Sequence, residues 1–77
     1  MLNPHVMEIV DLLFKHKEGM HTKQIAKELK IQDYRIVGIL CSELMNNGIL
    51  EGDIKTITWE GKDYGARIYK LVKVKPQ

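Results

Sequence analysis

The sequence predicts an α+β domain: three helices followed by a C-terminal β-hairpin. Three observations lead there. Apolar residues recur at helical spacing through roughly the first forty-six positions. The pattern then changes to β-branched residues in alternation. At each change stands a residue that starts or stops an element: Asn3-Pro4, Gly19, Thr22, Asp33 and Asn46-Asn47-Gly48.

Asn3 can cap a helix, and Pro4 suits the first helical position. Val6, Ile9, Val10, Leu13 and Phe14 follow as one apolar face. Lys15, His16 and Lys17 favour the negative end of the helix dipole, and Gly19 is a stop. This predicts helix 1 over about 4–18. Met20 and His21 suit a short strand. Thr22 is then a cap for helix 2 over about 23–29, with Ile25, Ala26 and Leu29 inside and Lys23, Gln24, Lys27 and Glu28 outside. Asp33 caps helix 3, about 34–46. Val37, Leu40, Cys41 and Leu44 line one face, with Ile36 beside them, and Asn46-Asn47-Gly48 ends it.

Ile54–Trp59 and Ala66–Val74 read as two strands, with Tyr69 and Leu71 on one face. Glu60–Gly65, with two glycines, reads as a loop of about six residues, and Pro76 closes the chain. Trp59 and Tyr69 are expected in the core, where the hairpin meets the helices.

Length bounds the rest. Seventy-seven residues with 44% hydrophobic and 29% charged content make one globular domain, 1–77. A chain this size buries only about 60% of its unfolded surface. A single cysteine closes no loop, so stability rests on one core. Near the middle, the stretch without charge runs only from Ile36 to Ser42, far short of the ~20 residues that cross a bilayer. Glu8 and Asp11 come early and no basic lead precedes them, which argues against a signal peptide. A free Cys41 then points to a cytoplasmic protein.

Charge is uneven. Residues 1–32 carry five lysines against four carboxylates. Residues 33–53 carry Arg35 alone against Asp33, Glu43, Glu51 and Asp53. Residues 54–77 carry six cations against Glu60 and Asp63. The basic end is C-terminal, and the pI of about 8.7 sits just under the ~9 of basic nucleic-acid modules. His5, His16, His21 and Cys41 are the only soft ligands; His16 and His21 lie across the end of helix 1, and no C-x-x-C accompanies them to complete a zinc set. Cys41, expected to face the core, is an apolar filler rather than a nucleophile. No metal, cofactor or enzymatic activity is expected.

The core pattern is Ile25-Ala26-x-x-Leu29-x-Ile31, then Val37-x-x-Leu40-Cys41-x-x-Leu44, then Gly48-Ile49-Leu50, closing on Tyr69-Lys70-Leu71. Over about residues 6–74 it resembles the winged helix-turn-helix superfamily of small DNA-binding regulators. Two positions depart from that pattern. Lys30 stands where the family usually has a left-handed glycine, and the stretch from Ile31 to Val37 is one residue longer than usual. The register of helix 3 is therefore open by one residue.

The resemblance implies a sequence-specific double-stranded DNA-binding protein, a transcriptional regulator, with helix 3 in the major groove and the hairpin wing on the backbone or minor groove. Phosphate contacts would supply affinity and base-edge contacts sequence choice. Carried onto this chain, the phosphate anchors would be Thr22 and Lys23. The base readers would be Gln32, Tyr34, Arg35, Gly38, Ile39 and Ser42. The wing contacts would be Lys62, Tyr64 and Arg67, with Lys55 and Lys70 behind them. Each has a plainer role open to it. Arg35 can pair with Asp33 or Glu43, Tyr34 can cover the helix start, and Gln32 can cap a turn. Gly38 and Ser42, small and one turn apart, can be solvent-facing filler rather than a place where a DNA backbone or a partner helix approaches closely. The hairpin lysines can serve solubility alone.

Such regulators usually act as dimers on two half-sites. A homodimer would need the surface of helix 1 or the hairpin edge. The alternative is a winged-helix protein–protein interaction module, favoured by the acidic middle and by Ile39 if exposed. Single-stranded nucleic acid, bound through Tyr34 and Tyr64, is a third.

Overall fold

The computed structural model describes residues 3–73. It has helices α1 (Pro4–Lys15), α2 (Thr22–Leu29) and α3 (Tyr34–Asn46), then strands β1 (Leu50–Trp59) and β2 (Lys62–Leu71). This is the layout of a winged helix: three helices and an antiparallel hairpin. Val74 and Pro76, read above as strand end and chain end, lie outside the described residues.

Local chemistry explains the helix starts. Asn3 accepts from the His5 N–H at 2.9 Å, and Pro4 takes the first position. Asp33 accepts from the Arg35 N–H at 3.0 Å at the head of α3. A cap of this kind stabilises a helix by about 1 kcal/mol. The cap of α2 is His21, not Thr22. Its Nδ1 accepts from the Gln24 N–H at 3.3 Å, and Thr22 is the first helical residue.

The ends of α2 and α3 use one device with different residues. At α3, Gly48 takes φ +75° and the Ile49 N–H donates to the Leu44 carbonyl at 2.9 Å. At α2, Lys30 takes φ 58° and the Ile31 N–H donates to the Ala26 carbonyl at 2.9 Å. Both are left-handed stops with a six-to-one hydrogen bond. Lys30 holds the conformation at a steric penalty that glycine lacks. The stop turns Ile31 back onto the core.

α1 is shorter than the expected 4–18. It ends at Lys15 because His16 leaves the helical region (φ −118°, ψ 76°). Gly19, at φ +95°, then brings Met20 alongside β2. A Cβ on Gly19 would sit 2.6 Å from Ile68 Cγ2, so the close approach needs glycine as much as the backbone angle does. Met20 and Tyr69 exchange both backbone hydrogen bonds, at 2.9 and 2.8 Å.

The core is Ile9 and Leu13 of α1, Met20, Ile25 and Ala26 of α2, Val37, Leu40, Cys41 and Leu44 of α3, and Leu50 and Tyr69 of the hairpin. Each large aliphatic side chain buried here contributes about 1.5–3 kcal/mol. The register of α3 is thereby settled, with Val37 inward and Ile36 40% exposed. Phe14, expected on the apolar face of α1, is 65% exposed instead. It stands one residue past Leu13, which takes the core position in that turn.

The hairpin differs most from expectation. β1 begins at Leu50, and the loop is two residues rather than six. Glu60 (φ 52°) and Gly61 (φ 79°) both take positive φ, the geometry of a tight hairpin turn that matches strand twist. Lys62–Gly65 therefore continue the strand, and the pairing runs without a bulge from Leu50↔Leu71 to Trp59↔Lys62. Strand alternation divides the hairpin's work. Leu50, Tyr69 and Leu71 share the face that seals the core at the base. Trp59 and Tyr64 have the opposite parity and meet α2 nearer the tip. Trp59 is thus half-buried at the tip rather than in the core, while Tyr69 is buried as expected.

Candidate nucleic-acid interface

Lys23 is the centre of the site. It sits one residue into α2, and its Nζ lies 5.2 Å from the centroid of the Tyr34 ring and 4.5 Å from that of Tyr64. The first residue of α3 and the middle of the wing thus hold a cation of α2 between two aromatic faces. Each such contact stabilises by about 0.5–1 kcal/mol at an exposed site. Thr22, Lys23, Tyr34, Tyr64 and Arg67 border one open groove of about 360 Å³, with His21 and Tyr69 at its floor. The Tyr64 hydroxyl is buried there and has no hydrogen-bond partner among the described residues.

A second groove, of about 470 Å³, adjoins the first. Lys23, Lys27, Gln32, Tyr34 and Trp59 line it. Trp59 meets the His21 ring edge-on at 4.7 Å, and Lys27 Nζ lies 5.5 Å from the indole centroid. The tip of the wing therefore leans onto α2. Burial, and then the Lys23 charge, hold the His21 pKa below its ordinary value. A neutral ring is what the cap requires, because Nδ1 must accept.

The exposed surface of α3 divides by helical spacing. Arg35, Ile39, Ser42 and Asn46 follow at steps of four, three and four, one row along the outside. Tyr34 and Gly38 flank it on the side of α2. A Cβ on Gly38 would lie 3.8 Å from Thr22 Cγ2, so Gly38 sits at the crossing of α2 and α3. Ile36 and Glu43, seven apart, flank the row on the other side. Ile39 is 61% exposed.

Arg35 is paired. Its Nε and Nη2 donate to the two carboxylate oxygens of Asp33, both at 3.0 Å. That guanidinium, with the Arg35 N–H, lowers the Asp33 pKa, and the carboxylate in turn raises that of Arg35. The Arg35 side chain is largely exposed and that of Asp33 partly so, and water and salt screen the pair.

Of the residues expected to bind DNA, Thr22, Lys23, Gln32, Tyr34, Tyr64 and Arg67 line the two adjoining grooves. Arg35, Gly38 and Ser42 belong to the neighbouring surface of α3. Lys55 and Lys62 lie on the hairpin face shared by Tyr64 and Trp59, both exposed. Lys62 and Arg67 do not flank a long loop. Lys62 starts β2 at the tip, whereas Arg67 lies mid-strand with its stem over Gly52. Lys70 is tied to Glu51 at 3.3 Å. Sequence reasoning missed His21, Lys27 and Trp59 as parts of this surface. Its usable signal was the i, i+4 spacing of Lys23 and Lys27, which places both on one flank of α2.

Burial pushes the Cys41 thiol up to about 12, so it stays protonated and unreactive in the core. Among the described residues no three His, Cys, Asp or Glu side chains cluster as metal ligands, and no helix is long and apolar enough to cross a membrane. No protein-family model, curated protein or solved structure matches this chain.

Proposed function

We propose that this chain is a sequence-specific double-stranded DNA-binding protein of the winged helix-turn-helix type, acting in the cytoplasm as a transcriptional regulator. The observation that carries the reading is the convergence on Lys23. The starts of α2 and α3 and the middle of the wing form one basic, aromatic-lined groove beside the outward row of α3. In this reading Thr22, Lys23, Lys55, Lys62 and Arg67 meet phosphate. Gln32, Tyr34, Arg35, Ile39 and Ser42 face the major groove. Arg35 exchanges Asp33 for a guanine edge, since both present the same two-acceptor fork. Ile39 suits a thymine methyl.

Selection of bound duplexes from a random pool tests this. A single consensus should emerge. The Arg35→Ala variant should lose preference at one position of it by about tenfold or more. Replacing both Lys62 and Arg67 should weaken every duplex alike and flatten the salt dependence. An Arg35→Ala variant with an unchanged consensus would remove Arg35 as a reader.

One observation favours a second reading, a protein-interaction module. Ile36 and Ile39 are both exposed on α3, and Glu43 lies beside them. An apolar and acidic flank suits a protein partner better than phosphate. A partner that protects α3 from solvent while duplex DNA does not would establish it.

A further inference from the structure

The outer edge of β1 is ten residues long, and among the described residues no strand lies against it. β2 covers its other side, and Met20 lies beyond β2. Long open edges are normally blunted by proline, a bulge or repelling charge. β1 has no proline, and its pairing with β2 has no bulge. It does carry charge: Asp53 and Lys55, on either side of Ile54, which is 72% exposed.

Hydrogen-bond parity fixes which groups point outward. The Val72 N–H donates to the Ile49 carbonyl at 3.1 Å, so odd-numbered residues of β1 bond inward to β2. The Met20–Tyr69 exchange agrees, because Tyr69 faces Gly52, an even position, and turns its own backbone groups the other way. Gly52, Ile54, Thr56 and Thr58 therefore offer their N–H and C=O groups to the open edge.

We infer that this edge pairs antiparallel with the same edge of a second copy, about a two-fold axis at Ile54. Charge selects that register. Centred on Ile54, Asp53 faces Lys55 of the other copy and Lys55 faces its Asp53, while Ile54 meets Ile54. Both ionic pairs fall at the non-hydrogen-bonded positions, where side chains are closest. Centred on Lys55, like charges meet on the axis. Centred on Asp53, two carboxylates meet there, and the Lys55–Glu51 pairs beside them would have to draw Glu51 from Lys70, which holds it at 3.3 Å. Centred on Gly52, Glu51 meets Asp53. Centred on Thr56, no charged pair forms. Within the chain neither Asp53 nor Lys55 forms an ion pair among the described residues. The charges that would deter a foreign strand thus match a second copy of this one. The result is an isologous dimer with a continuous sheet. Its test needs no DNA; in the dimer Lys55 is engaged by Asp53 of the second copy, which leaves phosphate to Thr22, Lys23, Lys62 and Arg67.

Sedimentation velocity of the full chain without DNA, at rising concentration, tests it. Wild type should pass from monomer to dimer. D53K or K55D alone should weaken association by about tenfold or more, because each sets like charges at both contacts. Mixing the two variants should restore association as a heterodimer, which also shows that each is folded. Ile54→Pro removes an outward N–H and should leave a folded monomer by circular dichroism. A wild type that stays monomeric, dimers indifferent to the single reversals, or variants that do not associate on mixing would each overturn the pairing.

Discussion

His21 does three things at once: it caps α2, packs on Trp59 and adjoins Lys23. Its lowered pKa has a consequence for stability. The unfolded chain binds a proton more readily at this ring than the folded chain does. Its contribution is complete above the ordinary histidine value of about 6.5 and is lost as pH falls below it. His21→Asn keeps a cap acceptor and removes the titration. Wild type should therefore lose more thermal stability than this variant between about pH 7.5 and 5.5. Equal losses in melting scans would show that the ring does not titrate against the cap. The role was hard to read in sequence because histidine is an uncommon cap. Thr22, the more usual one, stands next to it and became the first helical residue.

At the scale of elements, helices were legible and the hairpin was only half so. Caps and apolar spacing located α2 and α3 within a residue. α1 ran three residues short because Gly19 must approach Ile68, a contact between distant parts of the chain. The wing turn was misread because its signal is Glu60-Gly61, without the Asn or Asp usual before such a glycine. The two-residue turn matters for function: strand alternation, not loop position, decides where Lys62, Tyr64 and Arg67 point. The two left-handed helix stops offer an internal control. Gly48 already relieves the strain at α3, whereas Lys30 bears it at α2. Lys30→Gly should stabilise the fold by about 0.5–1 kcal/mol in denaturant unfolding, the penalty of a side chain at positive φ outweighing the added freedom of the unfolded chain. A loss of stability would mean that the lysine side chain contributes more than its backbone angle costs.

For the whole molecule, the order of elements and the core residues were readable because both follow from periodicity. The site was readable only as a set of residue types. Nothing in the sequence says that Lys23 lies between Tyr34 and Tyr64, since that depends on how far the wing leans onto α2. Nor does charge alone decide the partner. The groove around Lys23 is basic, and one flank of α3 is apolar and acidic. The geometry favours DNA because the basic groove joins three elements, whereas the apolar flank belongs to α3 alone.

The most informative measurement is fluorescence anisotropy of labelled duplex DNA, mixed-sequence and pool-selected, at about 50 and about 200 mM salt. Mixed-sequence binding should collapse at the higher salt while the selected duplex is retained, and Lys23→Ala should weaken both. No binding to either duplex at the lower salt would contradict DNA recognition and leave α3 to a protein partner.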